Sequence, residues 1–494
     1  MNIIKNKNLL MKITFITILT VSFTLFLPKI VLGEEIEEIS LKDAIEIAYK
    51  NNSELKQAKI AKEKSDLDID LAWRSLFPTV NLESSYTKMS EAPEQPVKYG
   101  FIDGDNPMLP DEIRELGDDT IEFPGSDEEI PTTFLDEEYI MLPTASVKGP
   151  DENYQTSISI TQPIYMGGKI GIGIEQAKKA QKMTELQNEQ KKSEVLLGII
   201  NSYYNLMMAK ERVEIEKDAL ELVKEHKKLA ESSYESGMGL KTDLLQAEIE
   251  LADTKNSLIN SQKQYELAKK SFKNQIGLEK GDFEITYSQV MPDITLDKDK
   301  LYNTALNNKI QLKILELNEE LTRAQLKLEN RSNFPQLMLI GNYSWQGEEL
   351  NFENGSGNIV LSASMSLFDG GKSAIEESKI EKDIESLEEN KKSLKDGMKL
   401  EIEQQLINIE KEKNNLELQE LNLKKAKQSL NLEEKRFEEG MSNSVTILQA
   451  QSKVKQTELA KIQAENQHKI ALFEMLDKTG QLVDFIEEVI NNEK

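Results

Sequence analysis

Two hydrophobic periods alternate along this chain, and the alternation happens twice. Over residues 40–76 apolar positions recur at helical spacing, with Ser40 placed as an N-cap and Asp43 at the capping-box position. The pattern stops at Phe77-Pro78 and changes to period 2, with Val80, Leu82, Ser84 and Tyr86 alternating with polar neighbours. The same events recur further on. A helical pattern over 299–333 stops at Phe334-Pro335, and Leu337, Leu339, Gly341, Tyr343 and Trp345 then share one strand face. Ala48, Asn51, Leu55, Arg74 and Phe77 match Ala305, Asn308, Leu312, Arg331 and Phe334 at a constant offset of 257.

Each first strand is followed by a second. The spacing predicts strands at 79–88 and 154–165 in one copy and at 336–345 and 358–368 in the other. Ile158 and Ile160 oppose Ser157, Ser159 and Thr161, and Ile359, Leu361 and Ala363 oppose Ser362 and Ser364. One apolar face and one small, polar face suit either a soluble sheet or the wall of a membrane β-barrel. Gly167-Gly168 and Gly370-Gly371 then mark the turns from strand into helix. They lack the spacing and the hydroxyl of a phosphate loop.

Long helices are predicted at 169–236 and 372–439. Ile402, Ile409, Leu416, Leu423, Leu430 and Phe437 recur every seven residues, as do Ile199, Leu206, Val213 and Leu220. Lys227 breaks the first series before Tyr234 resumes it. A heptad seam implies coiled-coil packing. Each long helix is interrupted by a glycine-marked tip, 237–243 and 440–446, and a return helix follows at 241–276 and 444–479. The tips align without gaps at an offset of 203, Leu245-Gln246-Ala247 matching Leu448-Gln449-Ala450. The chain therefore reads as two tandem repeats, 34–290 and 291–494.

Composition narrows the picture. No cysteine is present, which removes disulfides and thiolate chemistry, and a net charge of −26 argues against nucleic acid as a partner. Basic residues Lys5, Lys7 and Lys12, an apolar run from Ile13 and a small residue at Gly33 predict a secretory signal peptide over 1–33. The offset falls from 257 to 203 because residues 88–150 form an insert. It holds 16 acids against four bases and eight of the 13 prolines, so a mobile surface loop is expected rather than a packed core. No catalytic set stands out, and no cofactor or metal is expected. His226 and His468, the two histidines, lie in polar helical stretches and read as solvated.

Four membrane-type strands cannot close alone, because an open edge in lipid leaves backbone groups unpaired. Two chains would give eight strands and three would give twelve. Taken together, the paired units, the strands after Phe-Pro, the Gly-Gly-Lys turns and the two Gly-Met…Leu-Gln-Ala tips resemble the outer-membrane efflux protein family, the TolC-like outer membrane factors. That resemblance implies a mainly α fold with a membrane β part. In it, long coiled-coil helices form a periplasmic α-barrel tunnel, and four strands per chain contribute to a trimeric 12-stranded outer-membrane β-barrel. It implies a homotrimer in outer-membrane lipid that docks to a periplasmic adaptor (membrane fusion protein) and an inner-membrane pump of RND or ABC type. Such a duct passively conducts drugs, other small molecules or secreted polypeptides, as in multidrug efflux or type I secretion, and is not an enzyme. The other reading of the residues is a periplasmic coiled-coil adaptor or tether without its own pore. The resemblance also makes the tips the inner mouth. Asp243 is then the gate candidate, with Thr446, Gln246 and Gln449 beside it, unless Asp243 only serves the start of its helix. Gly237, Met238, Gly239, Leu240, Gly440, Met441 and Ser442 are the candidate adaptor-docking residues.

Overall fold

The computed structural model describes residues 38–91 and 151–492 except 238, 280, 288, 289, 354 and 440, together with short strands within 92–150. The expected signal peptide lies outside the described residues, as do Met238 and Gly440. The elements run in chain order as β1 (Glu38–Ile39), α1 (Leu41–Asn51), α2 (Ser53–Arg74) and β2 (Thr79–Lys88). Within the insert come β3 (Glu94–Gln95), β4 (Gly100–Asp103), β5 (Thr120–Glu122), β6 (Glu129–Pro131), β7 (Thr133–Asp136), β8 (Tyr139–Leu142) and β9 (Val147–Lys148). Then follow β10 (Glu152–Met166), α3 (Lys169–Glu235), α4 (Lys241–Gln275) and β11 (Glu284–Ile285). The second repeat comprises α5 (Lys298–Asn308), α6 (Ile310–Glu329), β12 (Gln336–Gly347), β13 (Ser356–Ser364), α7 (Lys372–Glu438), α8 (Ser444–Lys478) and α9 (Leu482–Asn492). The described parts of the insert pair as short antiparallel strands, β3 with β9, β4 with β8, β7 with β8 and β5 with β6, where a plain loop was expected.

The chain divides into two compact units. One comprises Met1–Asp66, Lys179–Leu321 and Asp383–Lys494; the other comprises Leu67–Lys178 and Thr322–Lys382.

The first unit is helical. Each long helix has 67 residues, about 100 Å at 1.5 Å per residue. Of the heptad residues, Ile199, Leu206, Val213, Leu220, Ile402 and Ile409 are buried. Leu416, Leu423, Leu430 and Phe437 are half-buried, and Tyr234 is exposed. A larger core gathers Tyr203, Tyr204, Phe272 and Phe473 with Leu41 and Ile45 of α1 and Leu482 and Ile486 of α9. A smaller one joins Leu301 and Ala305 of α5, Met398 and Ile402 of α7, and Leu472 and Met475 of α8. Ser40 caps α1 through the expected capping box with Asp43, its backbone N–H donating to the Asp43 carboxylate at 3.0 Å.

The helices foreseen over 40–76 and 299–333 are each broken once. Asn52 takes ψ 128° and Lys309 ψ 116°, outside the helical region. Asn52 stabilises its break by accepting from the backbone N–H groups of Glu54 and Leu55 and donating from Nδ2 to the Gln275 carbonyl at 2.8 Å. Lys309 instead donates from Nζ to the Asp477 carbonyl at 3.4 Å, and burial lowers its ammonium pKa below the ordinary lysine value. Against each break sits the glycine ending a return helix. Gly277 (φ 70°) and Gly480 (φ 71°) are left-handed, and a Cβ there would lie 2.8 Å from Asn51 and 2.9 Å from Asn308 backbone.

The largest sheet of the second unit is antiparallel, in the order β13-β12-β10-β2. The register stacks Val80, Leu82 and Tyr86 beside Ile160, Ile158 and Tyr154, then Gly341, Tyr343 and Gly347, with Ile359 beyond Gly341. This apolar face is solvent-exposed in one chain. Its polar members Ser84 and Thr156 satisfy each other with a hydrogen bond of 2.9 Å. The opposite face carries Asn81, Glu83, Ser157, Ser159, Asn342 and Ser362. The second strand of the second repeat stops at Ser364, short of the expected 368. At the lower end of the sheet, Gly167 and Gly168 are left-handed, as are Gly370 and Gly371. Arg331 lies over the Phe334 ring at 4.7 Å and donates to the Gly167 carbonyl at 3.3 Å, which fixes the Phe-Pro corner to the Gly-Gly turn.

Candidate functional site: the two hairpin tips

The tips share a sequence but not a mechanism of turning. In the first, Gly237 is left-handed at φ 76° and donates to the Tyr234 carbonyl, while the Gly239 N–H reaches the Ser233 carbonyl at 2.8 Å. A Cβ on Gly239 would lie 3.0 Å from the Ser233 and Tyr234 backbone, so the turn leaves no room for a side chain there. In the second, the Met441 N–H reaches the Arg436 carbonyl at 2.7 Å. Ser442 donates to Glu433, which also pairs with Arg436 at 3.1 Å.

The helices that leave the tips also begin differently. α8 is capped by Asn443, whose Oδ1 accepts from both the N–H and the hydroxyl of Thr446, each at 2.9 Å. α4 begins at Leu240, which has no side chain able to cap and is exposed instead. Asp243 stands in the first turn of α4, half-buried. Its position suits the positive end of the helix dipole. Thr446 is thus engaged by its cap, whereas Asp243 acts electrostatically on His226 of α3. Gln246 and Gln449 are exposed one turn on, and Leu240 and Met441 present apolar side chains to solvent at the two tips.

The histidines are not solvated as expected. His226 is only 5% exposed on α3 above the first tip, and His468 on α8 is half-buried. Burial lowers the His226 pKa below the usual histidine value, and Asp243 opposes that shift. His468 is lowered by burial and by Lys413, with Glu412 opposing. The spacing carried the signal. Val213, Glu216, Leu220, Val223 and His226 are all buried at steps of three or four, so His226 continues a helical stripe despite charged neighbours on both sides.

The outer membrane efflux protein model matches residues 44–278 and 301–480, one segment in each repeat. The fold is similar to that of the Campylobacter jejuni CmeC outer membrane channel (TM-score 0.65, 15% identity, 92% of this chain and 89% of that one). It is also similar to the outer membrane protein VceC of Vibrio cholerae (TM-score 0.63, 15% identity, 88% and 96% covered). A third likeness is to the open state of the MtrE outer membrane channel of Neisseria gonorrhoeae (TM-score 0.62, 13% identity, 90% and 89% covered). No curated protein sequence matches significantly. Identities this low speak to fold, but the family match spans both repeats: the chain belongs to the outer membrane efflux protein family.

Proposed function

We propose that three copies of this chain close into a duct that carries solutes from an inner-membrane pump and a periplasmic adaptor out through the outer membrane. Transport is passive within the duct, with the energy supplied by the pump. The observation that carries this reading is an unmet half of an internal interface. Within one chain, α3 packs against α8: Asn205 pairs with Asn466, Glu216 with Lys455, and Leu448 is only 8% exposed. At the offset of 203, Ile215, Asp218, Leu448 and Ser452 correspond to Leu418, Leu421, Leu245 and Ile249. Those four are 52%, 53%, 47% and 55% exposed. α7 of one copy against α4 of the next would repeat the internal packing and cover both seams at once. A ring is the arrangement in which every such seam finds a partner.

The sheet supports the same reading. Its edge strands β2 and β13 lack partners on one side, and one face is apolar. Three copies give twelve strands, with Ser157, Ser159, Asn342 and Ser362 toward a lumen. The Asp243 carboxylates would form one ring at the inner mouth, since the second tip offers Thr446. Single-channel conductance in planar bilayers, with the mass of the purified complex, tests this. Wild type is expected to be trimeric and to conduct. Ile249→Glu is expected to yield single chains. Asp243→Asn in an intact trimer should lower cation selectivity. A monomeric, non-conducting wild-type protein in detergent would overturn the reading.

A further inference from the structure

The two ends of the four-stranded sheet treat their cations differently. At the upper end Lys88 pairs with Glu152 at 2.7 Å, so its charge is met within the chain. At the lower end the second Phe-Pro corner is stitched to both Gly-Gly turns. Arg331 donates to the Gly167 carbonyl at 3.3 Å, and Ser332 Oγ lies 3.1 Å from Ser373 Oγ. These contacts bring Arg331 between the stretches that carry Lys169 and Lys372. Arg74 stands at the matching corner of the first repeat, over the Phe77 ring at 5.6 Å. None of these four cations makes an ion pair among the described residues. Lys169 and Lys372 also open α3 and α7, neither of which has an acid in its first turn. A cation there opposes the helix dipole, and both repeats place one there. Asp369, the carboxylate nearest Lys372 in sequence, serves the start of α7 instead, accepting from the N–H groups of Gly371 and Ser373 at 3.0 and 2.9 Å. In a chain with 87 acids against 61 lysines and arginines, cations left unpaired at one end of a sheet point to negative charge supplied from outside.

The surface beside these cations is apolar. Tyr165 and Phe334 are exposed, and Leu367 and Phe368, just before Gly370, are 84% and 87% exposed. Given the bilayer position of the sheet proposed above, on which this rests, we infer that the lower end of the sheet is a docking surface for anionic phospholipid. Lys169, Arg331 and Lys372 take the phosphodiester of the headgroup, and the acyl chains lie along Leu367, Phe368 and the apolar face of the sheet. Guanidinium and ammonium groups suit phosphate oxygens through charge-assisted hydrogen bonds. A zwitterionic lipid fits less well, because its own ammonium meets the same cations. The upper end, where Glu152 already neutralises Lys88, lacks this preference.

The test is native mass spectrometry of the full mature protein in a non-ionic detergent, with equal amounts of phosphatidylglycerol and phosphatidylcholine carrying the same acyl chains. Phosphatidylglycerol is expected to be retained over phosphatidylcholine by about tenfold or more. The double variant Lys169→Gln, Lys372→Gln should lower that preference by about tenfold, and Arg74→Gln alone by about fivefold. Lys88→Gln, at the upper end, should leave it unchanged. The same spectra report the number of chains. A wild-type trimer that retains the two lipids equally overturns the assignment and leaves the duct standing. So does a trimeric double variant with its preference intact, or an equal loss from Lys88→Gln. A monomeric wild type overturns the duct, and this assignment with it.

Discussion

The two repeats cover matched faces of their long helices unequally. In the first, Tyr203 and Tyr204 of α3 are fully covered, and their hydroxyls donate to the carbonyls of Thr286 and Val290 in the segment that joins the repeats. Lys210 adds a contact to Glu284 at 2.7 Å, and Lys269 pairs with Asp282 beneath the Phe283 ring. Parallel pairing of β1 with β11 ties the same segment to the start of α1. In the second, the offset positions are Leu406 of α7, half-buried against the smaller core, and Ile407, which is exposed. A chain with two repeats has only one connection between them, so one copy is sealed internally and its twin keeps an open apolar seam. Duplication alone would give two equal halves; the linker breaks the equality and leaves Ile407 uncovered within one chain.

Truncating the sealed side should have the largest effect. Tyr204→Ala removes a buried ring and its hydrogen bond and is expected to cost about 3–5 kcal/mol, read as a large fall in the thermal midpoint. Ile407→Ala should cost less than about 1 kcal/mol in a single chain but weaken association of copies, measured by mass against concentration. Similar losses of chain stability in both variants would erase the distinction between the faces.

The tips give a smaller and sharper contrast. Asn443→Ala deletes a cap and should destabilise by about 1 kcal/mol, whereas Leu240→Asn supplies the missing cap and should stabilise by up to about 1 kcal/mol. Denaturant midpoints with the oligomer held fixed would report both, and a destabilising Leu240→Asn would mean the exposed leucine has another structural task. The smallest effect concerns pH. The folded pKa of His226 lies below its unfolded value, so protonation favours the unfolded chain. Its contribution is intact above pH 6.5 or so and is lost as pH falls below that. His226→Gln should flatten the dependence of melting temperature on pH between about 6.5 and 5; an unaltered slope would assign that acid sensitivity to other groups.

Much of the architecture is visible in residue patterns because each device is local. The capping box at Ser40, the Phe-Pro stops, the left-handed glycines and the period change each depend on a few neighbouring side chains. The breaks at Asn52 and Lys309 were hidden because one residue leaving helical ψ barely disturbs the apolar phase on either side. α9 was overlooked, although Leu482, Val483, Phe485, Ile486 and Ile490 form a short amphipathic set. A length of 11 residues gives little signal, and its burial comes from distant partners. The tips are legible in the chain's internal repeat, but the unlike capping of their helices depends on Leu240 against Asn443, three positions before Asp243 and Thr446. His226 was misread because charged neighbours outweighed its place on the buried stripe.

α9 also bears on how the molecule is made. Leu482 and Ile486 finish the core built on Leu41, Tyr203 and Phe272, and Phe485 meets Phe473 at 6.1 Å between ring centres. That core therefore draws on residues more than 400 positions apart in the order of synthesis. Contacts so remote form late. A chain shortened before residue 482 would leave the aromatic side chains of that core uncovered. The helix from Leu482 to Asn492 is thus the last element of that core to be synthesised.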